Sequence, residues 1–272
     1  MLLERSETVQ VTPAARPRLG LSGLRARVAH RPWLYEIILF AFALIAYQVS
    51  RALVVGEPWR AFRNAWGLIR WEKATGLFVE RDIQGFFLDH LQLVSILNYF
   101  YVSAHWIVTT LFFVWLYRSR PRAYPYVRNA FFAANAAALA VFVAFPVAPP
   151  RLMDGPGFID TLQQMSGIDL HAGALASLFN PYAAVPSMHF GYAFMVGLVA
   201  AYLLRSWPIR AVALAYPVVV FLTITGTANH YVLDSVGGAV TILVGFAGVA
   251  AWSLARSGNP MGVTHDMVRA QR

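Results

Sequence analysis

Two short motifs hold the residues best suited to chemistry, PSMH at Pro186–His189 and NHYVLD at Asn229–Asp234. His230 and Asp234 are four residues apart, so on a helix they share one face and the carboxylate can hold the imidazole. A histidine held this way has a fixed tautomer and can act as a nucleophile, the carboxylate stabilising the charge that develops on the ring. His189 has no such partner in sequence and suits the complementary task of protonating a leaving alkoxide. Pro186 fits the first turn of a helix, where its missing N–H costs nothing. The backbone N–H groups of Ser187, Met188 and His189 would then face a cavity as an anion site, with the Ser187 hydroxyl as a further donor. Arg151 follows Pro149 and Pro150, which stiffen its backbone, and offers the forked cation that matches phosphate oxygens. Asn229 could donate to the same oxygens or shape a turn. These residues together point to phosphoryl transfer.

Each has a plainer reading. His189 and His230 could merely satisfy helix ends, Arg151 could anchor an interface, and Ser187 could cap a helix. A metal site of His189, His230 and Asp234 is disfavoured, because a helix N-terminus repels a cation and Arg151 would crowd it. No metal or cofactor is expected. His105 lies near the centre of an apolar stretch, where it either lines a lipid cavity or bonds, neutral, to a neighbouring helix. His30, His90, His171 and His265 have no convergent context. Gly237, Gly238 and Gly245 suit close helix packing.

The elements that must position these residues are apolar. The 272 residues are 58% hydrophobic and only 13% charged, against about 25% charged in an average chain. An all-α integral membrane protein follows, with six transmembrane helices near 34–55, 94–117, 129–146, 186–204, 209–225 and 230–254. No cysteine is present, which removes disulfides and thiolate chemistry. The net charge of +9 comes from arginines scattered between apolar stretches. That pattern suits membrane topology and anionic lipid, not nucleic acid.

Of the 22 Lys and Arg residues, fifteen fall on the side of residues 1–33 and seven on the other. The positive-inside rule therefore puts both termini in the cytoplasm of a plasma-membrane protein. Arg151, His189, His230 and Asp234 then share the extracytoplasmic side. The expected organisation is a basic tail over 1–33 with no cleavable signal peptide, a catalytic domain over 34–256 and a tail over 257–272. Segment 51–93 carries Trp59, Phe62, Trp66 and Ile69 interleaved with Arg63, Arg70 and Lys73 at helical spacing. It reads as an amphipathic interfacial helix between the first and second spans, or as a cap over the bundle, with a second piece near 82–90. Loop 147–185 is extracytoplasmic.

PSMH and HYVLD resemble the second and third signature motifs of the type 2 phosphatidic acid phosphatase superfamily, whose patterns are PSGH and a serine–arginine pair followed by H-x-x-x-D. AAVPSMHFG with NHYVLD is similar, more narrowly, to the inositol phosphorylceramide synthase and sphingomyelin synthase branch, the inositolphosphotransferases. The resemblance implies a six-span bundle in which His230 is the nucleophile, Asp234 its orienting acid and His189 the acid for the leaving group. The first family motif, K-x6-R-P, is represented only by Arg151, with Ala144 at the lysine position and Leu152 at the proline. The serine–arginine pair falls on Thr223 and Ile224.

The expected function is a metal-independent lipid-phosphate phosphotransferase or phosphatase at the extracytoplasmic leaflet, working through a phosphohistidine. A membrane lipid is the expected substrate and a polyol or lipid hydroxyl a candidate acceptor, with transfer of a phosphoinositol-type head group one form of the reaction. The alternatives are a plain lipid phosphate or polyprenyl (pyro)phosphate phosphatase, a small-solute transporter with a histidine proton relay, and a scaffold that has lost catalysis.

Overall fold

A computed structural model describes residues 32–54, 58–169 and 181–257. The expected tails, His30, His171 and His265, and the middle of loop 147–185 lie outside these residues. The chain divides into two units, residues 1–45 and 46–272. Helix α1 (Pro32–Val54) holds the described part of the first unit and runs into the second. Ile37, Ile38, Phe42 and Ile45 are exposed along it.

The second unit continues with α2 (Pro58–Thr75), α3 (Glu80–Leu88), α4 (Leu91–Ser119) and α5 (Tyr124–Ala144). A 3-10 turn (Pro150–Leu152) and α6 (Thr161–Ser166) follow, then α7 (Met188–Leu203), α8 (Trp207–Gly226) and α9 (Val232–Ser257). Among the described residues there is no strand, only an isolated bridge between Val147 and Ala183.

Among the described residues, four stretches are long and apolar enough to cross a membrane: α4, α5, α8 and Val232–Arg256 of α9. At the other two expected spans, 34–55 and 186–204, the described apolar stretches, Trp33–Val49 and Met188–Leu203, are shorter. In α7 the cause is local. Ser187 is the N-cap, so the helix opens at Met188 and runs 16 residues, about 24 Å against a hydrocarbon core of about 30 Å. Pro186 thus precedes the cap and does not occupy the first turn. Two boundaries also move. Pro125 starts α5 early, so Arg128 stands on the helix with its guanidinium over the Tyr124 ring, not in the connection. His230 lies just ahead of α9, which opens at Val232.

Small residues set how closely the helices approach, as expected where lipid removes the hydrophobic drive between them. A Cβ on Gly245 would strike the Ala130 carbonyl oxygen of α5. A Cβ on Gly197 of α7 would lie 2.7 Å from the Ala213 oxygen of α8. Between α7 and α9, a Cβ on Gly238 would collide with the Ser187 carbonyl oxygen, and one on Gly191 would lie 3.1 Å from the Gly238 oxygen.

Helix α2 buries Ala61, Ala65, Leu68 and Ile69, one stripe at helical spacing, against Val147, Ala148, Met153, Ala184 and Tyr231. Its tryptophans Trp59, Trp66 and Trp71 are exposed. The Ala148 N–H donates to the Ala61 carbonyl (3.1 Å) and Asn64 Nδ2 to the Pro146 carbonyl (2.9 Å). In α3, Gln84 exchanges both its amide bonds with the backbone of Ile159 (2.9 and 3.0 Å). Both helices are therefore fastened over the segments that lead into α7 and α9.

The α7–α9 contact predicts that Gly238→Ala forces these helices apart. We expect a stability loss of about 1–3 kcal/mol, typical of overpacking, read by thermal unfolding in detergent, whereas Gly248→Ala, with open space around its Cβ position, is silent.

Candidate active site

Ser187 opens α7 by accepting from the Phe190 N–H (3.4 Å), and it is fully buried. Its own N–H donates to the Asp234 carbonyl at 2.8 Å. One of the three N–H groups expected to face an anion is therefore used to join α7 to α9. This bond, with Gly238 beneath it, sets His189 and His230 side by side, with ring centroids 5.5 Å apart.

His230 Nδ1 faces two acceptors, the Ala184 carbonyl oxygen at 3.0 Å and Asp234 Oδ2 at 3.1 Å. Two acceptors on one ring nitrogen require the hydrogen there, which leaves the lone pair on Nε2. Asp234 Oδ2 also accepts from the Tyr231 N–H (2.9 Å), so the carboxylate is itself held. The Nε2 atoms of His230 and of His189 are buried with no hydrogen-bond partner among the described residues. Unpaired buried nitrogens cost free energy and call for an explanation; here both belong to neighbouring rings.

His189 is gripped by α4. Tyr101 stacks on its ring (centroids 4.4 Å, 25° between planes), and His105 meets it edge-on at 4.2 Å. His105 Nδ1 lies 3.2 Å from the Tyr101 carbonyl, one turn earlier on the same helix. His105 thus stands beside His189 at the candidate site. Tyr101 was not singled out in the sequence, although an aromatic residue four positions before an intramembrane histidine was the available signal.

Arg151 is buried and reaches toward the same loop. Its Nη1 pairs with Asp160 Oδ2 at 2.7 Å, its Nε donates to Asn229 Oδ1 at 3.0 Å, and its backbone N–H to the Ala228 carbonyl at 2.8 Å. Asn229 spends its other amide end on Thr227, 2.8 Å to Oγ1 and 3.3 Å to the carbonyl. Asn229 therefore shapes the turn and orients Arg151. Asp160, which also caps α6 through the Gln163 N–H, is a partner that spacing alone did not reveal. Ala228 holds φ +53 in the left-handed region, a conformation that costs a residue with a Cβ about 1–2 kcal/mol; the Arg151 and Asn229 bonds around it offset that strain.

The arrangement presents one imidazole with a fixed tautomer and an unpartnered Nε2, a second imidazole 5.5 Å away between ring centroids, and a guanidinium. The model of the PAP2 superfamily matches residues 66–248, more than half of the chain, and the protein belongs to that superfamily. No curated protein and no solved structure matches the chain. PAP2 members are phosphatases and phosphotransferases of phosphate esters, and membership carries that reaction class to this chain.

Because Asp234 Oδ2 serves two N–H donors at once, Asp234→Asn should weaken the tautomer control over His230. We expect kcat on a phosphate ester to fall about 10³–10⁴-fold with KM little changed, measured by steady-state kinetics.

Proposed function

We propose that the protein is a membrane-embedded lipid-phosphate phosphotransferase that works through a phosphohistidine at the extracytoplasmic leaflet. His230 Nε2 attacks phosphorus, the bond from phosphorus to the leaving oxygen breaks, and His189 delivers a proton to that oxygen. An acceptor hydroxyl then gives its proton to His189, attacks phosphorus and frees His230. Arg151 holds the non-reacting oxygens. The meeting of two unpartnered Nε2 atoms in one buried place carries this reading.

A lipid substrate is supported by a groove of about 650 Å³ lined by Leu68, Trp71, Phe145, Val185 and Leu233, with Arg63 and Arg70 among its walls. Val185 adjoins Ala184, which bonds His230, and Leu233 adjoins Asp234. An acyl chain in the groove with its anion beside arginine would thus run past the site. The orientation rests on the Lys and Arg distribution, with both termini cytoplasmic. Six crossings require α1 and α7 to span as well, and local bilayer thinning accommodates the 16-residue α7.

Thr223 and Ile224 stand where the superfamily pattern has serine and arginine. The Thr223 hydroxyl bonds back to the Val219 carbonyl (2.8 Å) and is buried. A site lacking that second clamp favours transfer of a phosphoalcohol over plain phosphomonoester hydrolysis, in keeping with an inositolphosphotransferase-like protein.

Incubation with a phosphorus-labelled lipid should put an acid-labile label on wild-type protein and none on His230→Ala. His189→Ala should turn over about 10²–10⁴-fold more slowly. Label passing to an added polyol or lipid alcohol supports transfer, release of inorganic phosphate alone supports the phosphatase, and full activity in either variant sinks both.

The groove makes a separate prediction. A Cβ at Gly67 meets only the Arg70 guanidinium, at 3.9 Å, so Gly67→Leu should fold and narrow the groove. We expect KM for a long-chain substrate to rise several-fold while that for a short-chain analogue stays put, read by paired kinetics.

A further inference from the structure

Two acidic side chains lie buried under the first turn of α9, Glu72 from α2 and Glu80 from α3, both with no exposed surface. Glu80 Oε1 accepts from the Val232 N–H at 2.7 Å and Glu72 Oε1 from the Leu233 N–H at 2.9 Å. Asp234 Oδ2 takes the Tyr231 N–H. Three successive donors at the start of the helix are thus each met by a different carboxyl group, two of them from the capping helices.

Three carboxylates are more negative charge than this place can hold. A helix N-terminus supplies about half a positive charge, and among the described residues neither glutamate pairs with a lysine or arginine. The second oxygens, Glu72 Oε2 and Glu80 Oε2, are buried without a partner. The two carboxyl groups accept from adjacent N–H groups and so lie side by side in one buried place, where the repulsion of like charges favours a proton on one of them. Burial pushes the Glu72 carboxyl up to about 9, and Glu80 and Asp234 add to the rise while the Leu233 N–H opposes it. The titratable groups facing Glu72 are Glu80 of α3, Asp234 of α9 and Tyr231 of the preceding turn.

We propose that Glu72 and Glu80 share one proton and act as a positioning pair, through which the capping helices hold the start of α9 and so fix where His230 and Asp234 stand. The pair touches no reacting atom. Its effect on turnover rests on the assignment of His230 above; its effect on the fold does not. The folded protein holds this proton more tightly than the unfolded chain. The stabilisation is therefore complete below the ordinary carboxyl value of 4.5 and is lost as pH rises through about 9.

The experiment compares full-length wild type, Glu72→Gln and Glu72→Ala in detergent by thermal unfolding at about pH 6 and about pH 9.5, with phosphate-ester turnover at the lower pH. The glutamine amide can accept from Leu233 and donate to Glu80, reproducing the protonated acid permanently. We expect Glu72→Gln to melt with wild type at the lower pH, and wild type to lose about 5 °C more than Glu72→Gln on going to the higher. Glu72→Ala should melt lower at both and cut kcat about 10-fold with KM within about twofold, a loss that Glu72→Gln rescues. Equal damage from Gln and Ala at the lower pH, or parallel falls of wild type and Glu72→Gln on raising pH, would overturn the shared proton. Should no substrate turn over at all, the assignment of His230 fails, and the melting comparison still decides the pair.

Discussion

One backbone hydrogen bond orders the rest of the site: the Ser187 N–H donating to the Asp234 carbonyl at 2.8 Å, directly over Gly238. It joins the opening of α7 to the first turn of α9 at a distance that only a glycine beneath it permits. His189 follows the first of these points by two residues and His230 precedes the second by four, so their rings inherit the separation. A site assembled this way is preorganised by packing, and little side-chain freedom is left to lose when a substrate arrives. Pro186 and Ser187 stand just ahead of His189. They end the incoming loop and cap the helix, leaving the imidazole as the group that faces inward.

Around this junction most polar groups find partners in neighbouring segments of the chain. Ala184 and Asp234 share the His230 Nδ1 hydrogen, Asn229 and Asp160 share the Arg151 guanidinium, and Glu72 and Glu80 meet the first donors of α9. Unpaired, each would cost about 1–3 kcal/mol or more. What remains without a partner is confined to a few atoms, among them the two Nε2 nitrogens. That the two imidazole Nε2 atoms are among them fits the phosphoryl-transfer reading proposed above, in which positioning and charge do most of the work.

The motifs were legible because their chemistry is local. Four-residue spacing paired His230 with Asp234, and the capping preference of serine marked Ser187. Apolar length showed α4, α5, α8 and α9. It overstated α7, because an N-cap shortens a helix in a way hydropathy does not register. The amphipathic pattern of α2 showed a helix but drew attention to its tryptophans, while the buried stripe is Ala61, Ala65, Leu68 and Ile69. Small residues carry little hydropathy signal yet permit the closest packing. Asp160, Tyr101, Glu72 and Glu80 were illegible for a different reason. Each acts on a residue 9 to 161 positions away or across a helix interface, and such pairings exist only once the chain is folded. A buried glutamate looks in sequence like a solvated one.

The central claim is that both imidazoles address a single phosphorus. The most direct measurement is the structure of the protein with vanadate, which mimics the five-coordinate phosphorus of an in-line transfer. Vanadium is expected to bond to His230 Nε2, with its opposite apical oxygen hydrogen-bonded to His189 and its equatorial oxygens facing Arg151. Vanadate bonded to His189 instead, or bound with the His230 ring turned away from it, would contradict it.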